Sequence, residues 1–231
     1  IGGRYGKPRA SGWTMVIDKG LGLAETADWL ALTADCVDLL KLTFGTSAFY
    51  DPEILRQKTA LVREHAVGIM PGGTLGEVAL FQGRWDIYLQ RARALGFDTL
   101  EISDGTIDLS AERRLAAILS ARDQGFLVIT EVGKKHPDDQ CTLESQAEQA
   151  LADLAAGAAM VIIEGRESGR GVGIYGAGGE IRAEYLAVLA GHLPLDRVIW
   201  EAPLKSQQEE LILAYGPNVN LGNIPPGDVL A

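Results

Sequence analysis

The sequence predicts a single-domain parallel (β/α)8 barrel of the TIM type, and three observations point to it. Eight short apolar runs rich in β-branched residues recur, with starts 23, 30, 32, 28, 33, 38 and 21 residues apart. Segments of helical period separate most of them, and such alternation builds a parallel sheet clothed in helices. The chain has 231 residues, close to the roughly 250 usual for one barrel of this kind. An open doubly wound sheet shares the alternation, but a count of eight favours closure. No linker, low-complexity tract or internal repeat divides residues 1–231, so one domain is expected.

In chain order, strands are expected at 14–18 (TMVID), 37–42 (VDLLKL), 67–70 (VGIM), 99–102 (TLEI), 127–131 (LVITE), 160–164 (MVIIE), 198–201 (VIWE) and 219–223 (VNLGN). Helical periods fall at 52–64, 84–95, 111–124, 143–156, 183–190 and 207–214. Ser110 stands where an N-cap hydroxyl belongs. Gly96, Gly125, Gly157, Gly191 and Gly216 follow helical patterns, where a left-handed C-cap is wanted. Only eight residues follow Asn223, so the final helix is expected to be missing from this sequence.

The formal charge of -10 and a pI near 4.8 argue against non-specific binding to nucleic acid or anionic membranes. No apolar stretch approaches the ~20 residues of a membrane span. The first residue is Ile1, and no basic-then-apolar leader precedes Gly2. Cys36 and Cys141 lie far apart, outside any metal-ligand or disulfide spacing. A soluble protein of a reducing cytoplasm is expected.

Barrel active sites form where strands end, and here those ends are polar. They carry Asp18-Lys19-Gly20, Lys41, 71–74 (PGGT), 101–105 (EISDG), 131–135 (EVGKK), 164–169 (EGRESG), Glu201, and Asn220 to Asn223 (NLGN). Buried carboxylates need cations, so five acids at one mouth (Asp18, Glu101, Glu131, Glu164, Glu201) imply metal, Lys or Arg. Oxygen donors without a His or Cys cluster favour a hard cation such as Mg²⁺. The plainer alternative is a structural ring of ion pairs. Glycine-rich turns at 72–74, 165–169 and 221–223 let backbone N–H groups approach an oxyanion, or are ordinary turns. The GxGxxG match at 171–176 does not join a strand to a helix, so 169–179 reads as a mobile lid instead. His65, His136 and His192, and Trp29, Trp85 and Trp200, are expected to be structural, while Trp13 beside the first strand could pack or stack on a ligand.

These motifs resemble the phosphosulfolactate synthase family. The resemblance rests on 7–9 (KPR), 14–20 (TMVIDKG), 44–47 (FGTS), 71–75 (PGGTL), EISDG, 130–135 (TEVGKK), 163–169 (IEGRESG), 201–203 (EAP) with 205–208 (KSQQ), and 219–224 (VNLGNI). It spans nearly the whole chain, and a plant heat-stress-associated protein is also similar. Gly76 and Gly222 depart from the pattern, and the family continues into a further helix and tail. The resemblance implies a barrel lyase that adds sulfite to phosphoenolpyruvate with Mg²⁺, giving (2R)-phospho-3-sulfolactate, the entry to coenzyme M biosynthesis in methanogens. By the same resemblance Lys134 delivers a proton, with Lys135 its less favoured neighbour. Glu101, Glu131 and Glu164 surround the metal, with Asp18 and Glu201 ranked below them. Lys19, Lys41, Arg166 and Arg170 hold phosphate, carboxylate or sulfite, and Ser168, Gly72, Gly73, Asn220 and Asn223 complete the substrate-binding set. Two rivals stand beside this reading: a Schiff-base lyase using Lys41 or Lys134, and a non-catalytic stress-associated homologue. Assembly into a homo-oligomer is left open.

Overall fold

The computed structural model describes residues 3–43, 45–133 and 142–230. Its elements run β1 (Thr14–Asp18), α1 (Leu23–Thr33), β2 (Leu39–Leu42), α2 (Pro52–Glu64), β3 (Gly68–Met70), α3 (Gly73–Phe81), α4 (Trp85–Ala94) and β4 (Thr99–Ile102). They continue as α5 (Ala111–Asp123), β5 (Leu127–Val132), α6 (Leu143–Ala156), β6 (Met160–Ile163), α7 (Ala183–His192), β7 (Val198–Glu201), α8 (Lys205–Tyr215) and β8 (Asn220–Ile224).

All strand pairs are parallel, in the order β3-β2-β1-β8-β7-β6-β5-β4. The β1–β8 ladder joins the first strand to the last, which a doubly wound sheet does not do. The eight strands therefore form a nearly closed (β/α)8 barrel. Its seam lies between β3 and β4, where a side chain replaces the ladder: the Ile69 N–H donates to Asp98 Oδ1 at 2.9 Å. Two helices, α3 and α4, cross that seam.

Period-2 alternation divides each strand between two cores. Met15, Leu39, Met70, Ile129, Met160, Ile162 and Ile199 pack together inside the barrel. Val16, Leu40, Val161, Val198 and Trp200 face outward onto the helices. Two residues beyond Leu39, Ile129, Ile162 and Ile199 come Lys41, Glu131, Glu164 and Glu201, which inherit the inward phase at the carboxyl end. The same arithmetic carries Thr99 to Glu101.

Two helices were not legible in the sequence. In α1 the buried positions are Thr26, Leu30 and Thr33, so threonines occupy the face that should read as apolar. Their hydroxyls donate to Gly22 and Trp29 carbonyls one turn back, which makes burial tolerable. In α3 small and polar residues, among them Gly73, Gly76 and Glu77, are buried, leaving no hydrophobic stripe. Ser110 caps α5 as expected, accepting from the Arg113 N–H. Gly191 is not a C-cap, because α7 runs on through it to His192.

The segment 169–179 is a packed plug rather than a lid. Ile174 and Tyr175 are buried, the Tyr175 hydroxyl donates to the Glu201 carbonyl at 2.5 Å, and Gln207 Nε2 donates to the Gly169 and Gly179 carbonyls. The indole N–H groups of Trp13, Trp29 and Trp85 all have protein acceptors, and Trp200 is wholly buried. His65 and His192 each bond a carbonyl four residues back. Among the described residues no helix is long and apolar enough to cross a membrane.

Asn220 is at the wrong end of its strand for substrate. It opens β8, and its Oδ1 accepts from the Gly12 and Trp13 N–H groups at 2.8 and 3.0 Å. Its Nδ2 donates to the carbonyls of Leu195, Asp196 and Val198, stitching the amino-terminal rim, which serves stability. Asn220→Ala is expected to cost about 2–4 kcal/mol, since a buried and a half-buried N–H donor lose their acceptor. Denaturant unfolding checks this, and kcat should not change in the folded fraction.

Candidate active site

The inward phase gathers one lysine and four glutamates at the carboxyl end of the barrel. Lys41 Nζ lies 2.9 Å from Glu101, 3.1 Å from Glu201 and 3.5 Å from Glu131. Glu101, Glu131, Glu164 and Glu201 are each no more than 2% exposed. Burial alone would lower the Lys41 pKa, but the pull of Glu101, Glu201 and Glu131 outweighs it and raises the pKa well above the ordinary value. A raised lysine pKa contributes stability that is fully present below the unfolded value, about 10.4. That contribution is lost only as pH climbs through the higher folded value. Its pairing with three carboxylates argues against Lys41 as a Schiff-base nucleophile, which must offer a free neutral amine.

One oxygen from each of Glu131, Glu164 and Glu201 lies within 4.8 Å of the others. Three buried oxygen donors converging in this way fit a hard divalent cation. Glu101 stands beside the set, held by Lys41 and by the Gly73 N–H at 3.0 Å. A cavity of 360 Å³ opens over them, lined also by Ile17, Thr43, Thr106, Arg166 and Asn223.

The glycine-rich turns serve the glutamates. The Gly165 N–H donates to Glu201 at 3.0 Å and the Arg166 N–H to Glu164 at 2.6 Å. Gly72 and Gly73 do line the cavity, yet the Gly73 N–H is committed to Glu101. Any Cβ at Gly73 would collide with the Glu101 carboxylate, so this close approach requires glycine.

Two cavity residues have left-handed backbones: Arg166 at φ 57°, rare for a side chain of its kind, and Asn223 at φ 54°, which asparagine tolerates better. Such strain concentrates at functional sites. Asn223 is 3% exposed, and its Oδ1 has no hydrogen-bond partner among the described residues. The Arg166 guanidinium makes no ion pair among them either. Both line the cavity and are placed to meet a ligand.

Other expected site residues fall elsewhere. Asp18 is buried, but its carboxylate pairs with Lys58 at 2.5 Å and accepts from the Gly20 and Leu21 N–H groups. It fixes the turn after β1 and stands outside the carboxylate cluster. Lys19 is exposed at the rim, 2.9 Å from Glu167. Ser168 and Arg170 are exposed and do not line the cavity. Lys134, Lys135, His136 and Cys141 lie outside the described residues.

Supporting charges escaped the sequence reading. Arg114 on α5 is bound to Asp153 and to Asp104, and donates to the Glu131 carbonyl at 2.8 Å. Burial would depress its pKa, but hydrogen bonding and charge from Asp153 turn the net shift upward. A signal was present: Arg114 shares its helix face with Ala117, Ile118 and Ala121, and Lys58 shares one with Leu55 and Val62. A charge on an apolar stripe implies a buried partner.

The profile of the (2R)-phospho-3-sulfolactate synthase (ComA) family matches residues 2–231. The chain belongs to the phosphosulfolactate synthase family. It is 46% identical over 230 residues to the phosphosulfolactate synthase of Methanothermobacter thermautotrophicus, covering 99% of this chain and 89% of that one. The corresponding Bacillus subtilis synthase is 35% identical over 231 residues, 99% of this chain and 90% of its own. The Arabidopsis thaliana protein HEAT-STRESS-ASSOCIATED 32 is 23% identical over 80% of this chain and 71% of its own. Among solved structures, phosphonopyruvate hydrolase with oxalate and Mg²⁺ superposes with a TM-score of 0.61 at 13% identity, over 94% of this chain and 77% of that one. The Salmonella typhimurium 3-hexulose-6-phosphate synthase gives 0.55 at 15% identity, over 94% and 95%. At these identities the structural likenesses speak for the barrel fold alone.

Proposed function

We propose that this chain adds sulfite to phosphoenolpyruvate with the help of Mg²⁺, forming (2R)-phospho-3-sulfolactate. The observation that carries the reading is 46% identity, over 99% of the chain, to a phosphosulfolactate synthase. The cavity supports it: four buried glutamates face one lysine, and so negative a site would repel two anionic substrates without a further cation. Glu131, Glu164 and Glu201 would hold Mg²⁺, which supplies Lewis-acid stabilisation of carboxylate charge.

In the reaction, the sulfur lone pair forms the C3–S bond while the C2–C3 π pair moves toward C2 and the carboxylate. A proton then reaches C2. Lys41 keeps Glu101, Glu131 and Glu201 oriented rather than reacting itself. Arg166 and Asn223, which both line the cavity, would bind the anionic groups of the substrate. Lys134 is our candidate for the proton donor. The phosphorylated substrate suits a cytoplasmic enzyme.

Purified protein incubated with phosphoenolpyruvate, sulfite and Mg²⁺ should yield phosphosulfolactate, identified by mass spectrometry. Excess chelator should abolish turnover, and added Mg²⁺ should restore it. Absence of product under these conditions overturns the reaction, whereas full activity in chelator overturns only the metal.

A further inference from the structure

Glu77 plays no part in the chemistry described above, yet its setting is unusual. It lies on α3, 1% exposed, and no Lys or Arg pairs with it among the described residues. Leaving a buried carboxylate without a cation is costly unless hydrogen bonds replace water. Here they do, and all come from one short segment after β4. Glu77 Oε1 accepts from the Ser103 hydroxyl and, at 3.2 Å, from the Gly105 N–H. Its Oε2 accepts from the Thr106 hydroxyl and, at 2.9 Å, from the Thr106 N–H.

The segment 103–106 thus wraps its donors around an internal anion. Its other side is gripped by Arg114, whose guanidinium lies 3.0 Å from Asp104 and also holds the Glu131 carbonyl. Thr106 lines the glutamate cavity. The helix bearing Glu77 also supplies Gly73, whose N–H holds Glu101. One carboxylate therefore ties a cavity wall to the helix that orients a site glutamate.

We propose that Glu77 is a positioning residue for substrate binding, acting through Thr106 and the 103–106 turn. An amide at this position keeps the shape but turns an N–H toward donors that need an acceptor. The turn should then loosen, and Thr106 should lose its place in the cavity wall. The loss falls on groups that meet the substrate before and during reaction alike, so it should appear in KM rather than kcat.

The proposal rests on the reaction proposed above, so one readout is independent of turnover. In Glu77→Gln, hydrogen exchange at the Gly105 and Thr106 amides should quicken at least tenfold, with amides of β5 unchanged. The KM for phosphoenolpyruvate should rise about tenfold, with kcat within threefold. Thr106→Ala should raise KM by a smaller factor. The double variant should be no worse than Glu77→Gln, because residues in one network do not act additively. Faster exchange with an unchanged KM overturns the positioning role and leaves a structural one. If Glu77→Gln does not fold, an unchanged KM in Thr106→Ala overturns it equally. A wild-type protein with no turnover of phosphoenolpyruvate and sulfite counts against the proposed reaction, and the exchange result then stands apart from it.

Discussion

Lys41→Met is expected to lower unfolding stability by about 3–5 kcal/mol, the usual cost of removing one partner from a buried ion pair. Lys41 is the described cation that touches Glu101, Glu131 and Glu201 together. Methionine fills similar volume but leaves those carboxylates facing one another in a low-dielectric space, where like charges repel strongly. The deficit should be largest in metal-free buffer. A divalent cation on Glu131, Glu164 and Glu201 would offset part of the repulsion, so Mg²⁺ should recover more stability in the variant than in the wild type. Activity should fall with the loss of glutamate orientation. Urea unfolding with and without Mg²⁺ checks this, and a variant as stable as wild type without metal would show that Lys41 does not hold the cluster.

Lys134→Ala is expected to lower kcat by about 10²- to 10⁴-fold, the range typical of general acid catalysis, while stability and metal binding stay unchanged. Lys134 follows Gly133 directly after β5, the strand that carries Glu131. A lysine side chain at that sequence position would bring an ammonium group able to give up a proton. Lys134→Arg should restore charge without restoring rate, because guanidinium is a far weaker acid of different shape. Single-turnover kinetics separate the proton-transfer step from binding. A near-normal kcat in the alanine variant, or full activity in the arginine variant, moves the proton donor elsewhere.

Motifs were legible where they coincided with the strand period. The inward positions of Lys41, Glu131 and Glu201 follow from an apolar residue two places earlier, a purely local relation. Asn220 shows how narrow the margin is. The strand was expected at 219–223 and runs Asn220–Ile224, and on either bounds Asn220 stands near its amino end, at the stabilising rim, and Asn223 near the mouth. Both asparagines look alike in sequence, and only their place along the strand tells a stitch at the rim from a side chain at the cavity.

The eight-strand alternation and most of the carboxylate set were legible from spacing within a few residues, and the family from motifs along nearly the whole chain. Which charges meet depends on the folded barrel. Lys41 reaches Glu131 and Glu201 across 90 and 160 residues of chain, and Asp18 is withdrawn from the site by Lys58 on another element. It also decided that α1 could bury threonines and α3 a carboxylate, since those choices are paid for by acceptors and donors that arrive only when the barrel closes. Local propensity sees a residue's neighbours in sequence, whereas the cost of burying a charge is set by its neighbours in space.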